Sequence, residues 1–469
     1  MRAERAMSGS EPMNRAGAAP YAGDASASGG RDWLLCHGVR SLLRCDGAEV
    51  VEGIARYVIS QHSSLRLASA WVERKRETSA PALIALLGGL VRFLEVRAID
   101  RPVGGVWIAR LSNERRAVET LPPLLPELGW SELKFRRLPD AAACLALVRS
   151  LGANWRRVLT LARRLHRRHE FFKVLRVAEL IGYYSRYLGI FRRGRYQIAV
   201  MSSHSNPHGV AFNLAARKCG VPVVLITHGM PVRPVARLAY DLAVVHCEAA
   251  RQTYLEEGCR MDRVLIHGRR QHHAPMPAGP LPERLTVGIF LCKDVNEERL
   301  CAVTERLLGD PRVSRIIVRP HPKNLWLRFD EWIASRNEPR LCPRRGVALF
   351  RDIEDSDIVL AGNSSVLVDA VTAGRPSGYV PGLDRGSPDL HEFVARGLIY
   401  PIDDEFSFDP DAMLRFYQRL DWPDVLRLFA NIDEDGATVS ARTCAAIRDL
   451  ALSHDQHSNP SRRKKKGLT

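Results

Sequence analysis

Residues 221–233 read VPVVLITHGMPVR. An uncharged aliphatic and β-branched run closing on Thr227-His228-Gly229 predicts a buried strand with polar residues at its carboxyl end. The neighbouring segments repeat the theme. Residues 197–201 (QIAVM) predict a strand and 210–219 a helix, followed by strand 241–246, helix 248–257 and strand 263–267. Short apolar strands alternating with helices predict α/β construction around parallel strands. After a Pro-rich stretch, RRQHHAPMPAGPLPER at 269–284, a second series begins: strand 285–291, helix 296–308, strand 315–318, strand 358–361, helix 366–373 and strand 377–380. Segments 411–428 and 438–452 predict closing helices. Upstream, 103–111 (VGGVWIARL) predicts a strand and 114–125 and 140–151 helices, and the basic stretch 155–194 predicts one or two more.

This rhythm predicts two Rossmann-like domains facing across a cleft. The expected boundaries are a disordered leader at 1–30, an N-terminal domain at 31–268 that includes the basic segment 155–195, a linker at 269–284, a C-terminal domain at 285–453 and a basic tail at 454–469. In open parallel sheets ligands sit at the carboxyl ends of the strands, so the loops after strands are where chemistry is sought.

Composition narrows the class. Of 469 residues, 69 Lys+Arg against 52 Asp+Glu leave a net charge of +17, and 46% apolar with 26% charged residues is globular, not disordered. The longest apolar run, 80–91, is too short for the ~20 residues of a membrane-spanning helix. The chain start lacks a charged-then-apolar signal pattern, so the expected location is the cytoplasm. Ten cysteines show no C-x-x-C pair or zinc spacing, which predicts reduced thiols and no metal site. The positive charge concentrates in 155–195 and in the tail RRKKK at 462–466, pointing to an anionic partner: nucleic acid, an acidic membrane surface or a phosphorylated substrate.

Three loops carry candidate chemistry. His228, on the tip of its strand and followed by Gly229, suits a general base acting on a hydroxyl, or simply caps a turn. Arg319-Pro320-His321-Pro322-Lys323 follows the strand at 315–318. Its prolines fix the backbone around His321, and Arg319 and Lys323 make the loop cationic, suited to a phosphate; the alternative is a rigid solvated turn. Gly362-Asn363-Ser364-Ser365 opens the helix at 366–373 and offers amides and hydroxyls to an anion, a use compatible with ordinary capping. Asp355-Ser356-Asp357 runs into a strand and reads as a solvated turn. His272-His273 lacks any metal-ligating companion. Neither a P-loop nor a G-x-G-x-x-G fingerprint occurs, so no dinucleotide cofactor is expected.

Taken in order, these loops resemble the GT-B transferases that build bacterial surface polymers: CDP-glycerol glycerophosphotransferases, polysialyltransferases and the Kdo transferases of capsule assembly. His321-Pro322 resembles the group's HP motif, Ser364-Ser365 its paired-serine motif, and 227–233 (THGMPVR) its His-Gly-x-Pro segment. The resemblance spans about 197–401. It implies a metal-independent glycosyltransferase or glycerophosphotransferase, with an acceptor site in the N-terminal domain and a nucleotide-donor site in the C-terminal one. His228 and His321 would be catalytic, and Arg319, His321, Lys323, Asn363, Ser364 and Ser365 would hold donor phosphate. A CMP-, CDP- or UDP-linked donor would deliver a sugar or glycerol phosphate to a cell-envelope polysaccharide or lipid-linked acceptor. The polysialyltransferase paired acids followed by Gly have only Cys45-Asp46-Gly47 as a counterpart. The alternatives are a nucleotide-sugar epimerase of the same fold and a basic nucleic-acid-binding protein. A lipid-linked acceptor would also require docking at the inner face of the membrane, for which 155–195 offers Arg163, Arg164, Arg167 and Arg168 with Trp155, Phe171, Phe172, Tyr183, Tyr184, Tyr187 and Phe191.

Overall fold

A computed structural model of the chain describes residues 96, 103–135, 171–204, 206–233, 235–268, 279–322, 328–385, 388–431 and 434–458. The expected leader, the Cys45-Asp46-Gly47 segment, helix 140–151, Arg163, Arg164, Arg167, Arg168, Lys323, most of the linker and the tail beyond 458 lie outside them.

The N-terminal half is built on β1 (Val103–Ile108), α1 (Ser112–Val118), β2 (Ser131–Glu132), α2 (Phe171–Arg193), β3 (Arg195–Met201), α3 (Pro207–Lys218), β4 (Val223–Ile226), β5 (Leu242–Val245), α4 (Glu248–Glu256) and β6 (Val264–Ile266). Its six strands pair in parallel in the order β2-β1-β3-β4-β5-β6. Alternate residues serve opposite faces, as strand geometry requires. Ala199, Met201, Val223, Leu225, Ala243 and Val245 pack toward α2 and α3. Ile198, Val200, Val224, Leu242 and Val244 pack toward α1 and the C-terminal helix. A sheet covered on both sides explains why its strands read as unbroken apolar runs.

The C-terminal half repeats the design with β7 (Leu285–Phe290), α5 (Glu297–Gly309), β8 (Val313–Arg319), α6 (Phe329–Arg336), β9 (Leu341–Pro343), α7 (Leu349–Glu354), β10 (Ile358–Ala361), α8 (Val366–Thr372), β11 (Ser377–Tyr379) and β12 (Tyr400–Pro401). Strand order is β9-β8-β7-β10-β11-β12, again all parallel. This is the doubly wound order, in which connections leave the central pair toward opposite edges and open a crevice between them. Two Rossmann-like sheets in one chain make the fold GT-B-like.

Two expectations change here. Segment 411–428 is two helices, α9 (Pro410–Tyr417) and α10 (Trp422–Phe429), separated by Gln418–Asp421 and with Pro423 in the first turn of the second. The last helix, α11 (Gly436–Ser458), does not close the C-terminal half. Its Cys444, Ala446, Ile447 and Ala451 bury against Trp107, Ile198, Val200 and Val244 of the N-terminal sheet, and Arg448 pairs with Glu127 at 2.7 Å. Residues 436–453 therefore belong physically with the first sheet, whose apolar face they cover together with α1 and the residues that follow it.

The stretch offered for membrane docking is also reassigned in part. Tyr183, Tyr184, Tyr187 and Phe191 of α2 are buried in the N-terminal core. Tyr187 and Phe191 meet the ring of Phe212, on α3, at 5.6 Å and 5.3 Å. Their three-and-four spacing is the packing stripe of a helix on its neighbours. Among the described residues, no helix is long and apolar enough to cross a membrane.

Candidate functional site

In the N-terminal sheet the crevice falls between β1 and β3, and polar residues gather there. The chain leaves β1 through Arg110 and Leu111 into α1, whose Glu114 is completely buried. Glu114 Oε2 accepts from the amides of Arg110 (2.8 Å) and Leu111 (3.1 Å), and Oε1 accepts from Asn206 Nδ2 (3.2 Å). His208 Nε2 lies 3.4 Å from the same carboxylate, an ion-pair distance rather than a well-aligned hydrogen bond. Burial alone would push this carboxyl up. His208 and the two amides outweigh it and hold Glu114 down at about 2, so it is ionised at neutral pH.

The chain leaves β3 through Ser202-Ser203-His204, and this loop folds back tightly on α3. A side chain at Gly209 would collide with the Ser203 carbonyl, so the position requires glycine. Asn206 Nδ2 also donates to Ser203 Oγ at 2.9 Å. His204 is buried, with Nδ1 2.8 Å from the Tyr254 hydroxyl of α4. Burial, helped by nearby His228, lowers its pKa to about 3, which leaves it neutral.

From β4 comes His228. Its Nδ1 lies 3.1 Å from the Ser202 carbonyl and 3.0 Å from the Ser202 hydroxyl. A carbonyl can only accept, so Nδ1 carries the proton in that bond and Nε2 keeps its lone pair. Among the described residues Nε2 makes no hydrogen bond. Burial lowers the His228 pKa below its ordinary 6.5, opposed by Glu114 and by the Ser202 carbonyl. A neutral imidazole with a free lone pair is ready to accept a proton.

Sequence reasoning named His228 and missed Glu114, Ser202, His204 and His208. The signal was present: 202–208 (SSHSNPH) follows an apolar strand directly, as the chosen loops do. Glu114 carried no such mark, because a glutamate in the first turn of a helix is commonplace.

The C-terminal crevice lies between β7 and β10. Gly362-Asn363-Ser364-Ser365 leaves β10, and Cys292 leaves β7 to donate its thiol to the Asn363 carbonyl at 3.3 Å. Burial, and then Asp384, push that thiol far up, so it stays protonated. Asp384 accepts from the Asn363 amide (2.7 Å) and side chain (2.9 Å), while Asn363 Oδ1 accepts from the Leu390 amide at 2.7 Å. Ser364 Oγ accepts from the Val366 amide at 3.3 Å, the capping use of a serine here. His321, half-buried, follows β8, the strand beside β7.

Arg319 departs from its expected role. Its guanidinium pairs with Asp352 of α7, a fully buried carboxylate that also draws Arg344 to 3.8 Å. A buried anion needs this partner, so Arg319 is committed to the scaffold beneath the His321 loop. The acidic turn is not solvated either: Ser356 is buried and donates to the Asp352 carbonyl at 2.7 Å, and Asp357 accepts from the Thr286 amide at 2.8 Å. Among the described residues no group of three or more His, Cys, Asp or Glu side chains is placed to hold a metal ion.

The two halves meet through loops at the carboxyl ends of their sheets. Arg233, five residues beyond His228, contacts Glu256 and Glu257 (3.1 Å) in its own half and Glu392 (3.0 Å) in the other. Glu392 also pairs with Arg396 at 2.6 Å, and Arg396 donates to Gln252 of α4 at 3.1 Å. Asp389 and Glu392 on this loop both sit in the left-handed backbone region, φ 45° and 57°.

No protein-family profile matches the sequence, and no curated protein matches it. Solved structures do share its shape loosely. A UDP-N-acetylglucosamine 2-epimerase superposes with a TM-score of 0.44 at 14% identity, covering 76% of this chain and 97% of its own. CalG4, the calicheamicin glycosyltransferase, gives 0.44 at 11% identity, over 75% and 98%. MurG of Acinetobacter baumannii gives 0.38 at 12% identity, over 74% and 99%. The fold assignment rests on the order and direction of the strands.

Proposed function

We propose that the chain is a transferase that moves a sugar or glycerol phosphate from a CMP-, CDP- or UDP-linked donor to the hydroxyl of a cell-envelope glycan or lipid-linked acceptor. The observation that carries the reading is His228, held by Ser202 in the tautomer that leaves Nε2 able to take a proton. In the other half, the His321 loop and the Gly362–Ser365 loop leave β8 and β10, the two strands flanking β7, at the carboxyl end of a doubly wound sheet, the end where such sheets take phosphate-bearing ligands. In this reading His321, Asn363, Ser364 and Ser365 contact the donor phosphates, and Arg319 supports His321 from beneath through Asp352. The reaction proceeds without metal, with hydrogen bonds taking up charge on the departing nucleotide phosphate.

The epimerase alternative needs several carboxylates around a sugar ring. At the N-terminal crevice Glu114 is buried, and both its oxygens are engaged by protein donors. If the acceptor is lipid-linked, docking falls to the basic residues at 163–168 and the tail, without the aromatic stripe of α2.

Purified protein in EDTA, offered a panel of CMP-, CDP- and UDP-linked donors with envelope extracts as acceptor, is expected to release nucleotide only when acceptor is present. Conversion of a donor sugar without acceptor would identify an epimerase, and the absence of both turnover and binding across the whole panel would refute the proposal.

A further inference from the structure

Glu114 and His228 lie on different strand ends, yet one chain of contacts joins them. Glu114 Oε1 accepts from Asn206, Asn206 donates to Ser203 Oγ, and the adjacent Ser202 holds His228 through its carbonyl and hydroxyl. The carboxylate is wholly buried, and its partners are two backbone amides, one neutral side-chain amide and His208. Its surroundings are aromatic: the Phe135 and Tyr183 rings stand 5.8 Å and 6.1 Å from the His208 ring. A charge in such a site acts on its neighbours with little screening.

We infer that Glu114 is the positioning residue of the N-terminal site, fixing the β3 loop that orients His228 and supplying the negative charge that stabilises His228 once it is protonated. The inference rests on the transferase reading only for what His228 does. In that step the acceptor oxygen bonds to the anomeric carbon or phosphorus of the transferred group. The bond from that atom to the nucleotide's phosphate oxygen breaks, and the nucleotide leaves with the electron pair. The acceptor proton passes to His228 Nε2, creating an imidazolium inside a desolvated crevice. Among the described residues, the other polar groups on the elements around this site offer that cation no negative charge. From the β1 loop Arg110 is itself cationic and is directed to Tyr183 Oη at 3.0 Å; from the β3 loop His204 is neutral; from α3 His208 faces Glu114; and from α4 Tyr254 serves His204. Glu114 is the one carboxylate among these groups.

The test reads the histidine directly. In the intact protein, the His228 ring signal is assigned by comparison with His228→Gln and titrated by NMR in the wild type, Glu114→Gln and Asn206→Ala. Glu114→Gln keeps a hydrogen-bond acceptor and removes the charge, so the His228 midpoint is expected to fall by about one pH unit. Asn206→Ala removes a neutral donor and is expected to leave the midpoint within about 0.3 unit while broadening the ring signal as the loop loosens. In the transferase assay, Glu114→Gln is expected to lower kcat about tenfold or more, leave the donor KM within about twofold, and move the acid limb of the pH profile downward. If Glu114→Gln does not fold, Glu114→Asp restores the charge one methylene farther away, and a smaller shift in the same direction is expected. A His228 midpoint indifferent to both Glu114 variants would overturn the inference. Shifted midpoints in a protein that transfers nothing would instead overturn the transferase reading and leave the coupling standing.

Discussion

Replacing Gly362 by Ala tests the donor-side crevice most directly. A Cβ at this position would fall on the carboxylate of Asp384, the group that locks Asn363 by two hydrogen bonds of 2.7 and 2.9 Å. The methyl group and the carboxylate cannot both stay, and the backbone between β10 and α8 has little freedom to yield. Asp384 must therefore swing away. Each hydrogen bond to a charged group contributes ~1.5–3 kcal/mol. Asp384 is half-buried and regains some water, so the net cost is expected to be about 3 kcal/mol. Urea unfolding gives the stability, and titration calorimetry with CDP and UDP gives the affinity. Both are expected to drop in Gly362→Ala. In the Asp384→Ala background, where the collision is gone, the same glycine substitution should cost under ~1 kcal/mol, a coupling that the double-mutant cycle isolates. Additive effects of the two substitutions would refute the reasoning, since the glycine would then be required for some reason other than Asp384.

Three further outcomes follow from the same geometry. His228 has a pKa lowered below 6.5 and is neutral at pH 7, so transfer is expected to stay level there and fall as pH drops through that lowered value; His228→Gln should lose about 10²- to 10⁴-fold in kcat and with it the acid limb, and an acid limb surviving in that variant would exclude His228 as its source. The Arg233–Glu392 pair joins the two halves at 3.0 Å, so Arg233→Glu is expected to cost ~1–2 kcal/mol of stability and Arg233→Glu/Glu392→Arg to recover part of it in urea unfolding; no recovery would mean the cross-half contact contributes nothing, though Glu256 and Glu257 limit it to a part. Acid should destabilise the N-terminal half in two windows: His204, lowered from 6.5 to about 3, loses its contribution as pH falls through that range, and Glu114, lowered from 4.5 to about 2, loses ~3 kcal/mol lower down, so urea midpoints that do not decline from pH 7 to 3 would contradict both assignments.

What the sequence determined by itself was the alternation and the tips. The aliphatic runs ending at Ile226, Val245, Phe290, Val318 and Ala361 had to be buried parallel strands, because uncharged β-branched segments of that length have no solvated face, and their placement held to within a residue or two. The loops that leave these strands, with His228, His321 and Ser364-Ser365, were legible for the same reason: polar residues abutting a buried run must sit at its end. Strands as short as Ser131–Glu132, Leu341–Pro343 and Tyr400–Pro401 left no pattern, since two or three residues show no period. The tertiary structure alone decided the rest. It decided that α11 crosses back to the first sheet, because an apolar helix face does not name its partner. It decided that the aromatic stripe of α2 faces Phe212 and the N-terminal core, because amphipathic spacing is the same for a membrane surface and a protein interior. It decided that Arg319 belongs to Asp352, 33 residues away, since a buried carboxylate takes the cation that the fold brings to it. Above all, it decided that Glu114, His208, His204 and His228 form one cluster, because strand order sets which loops share a crevice, and strand order is a property of the assembled sheet.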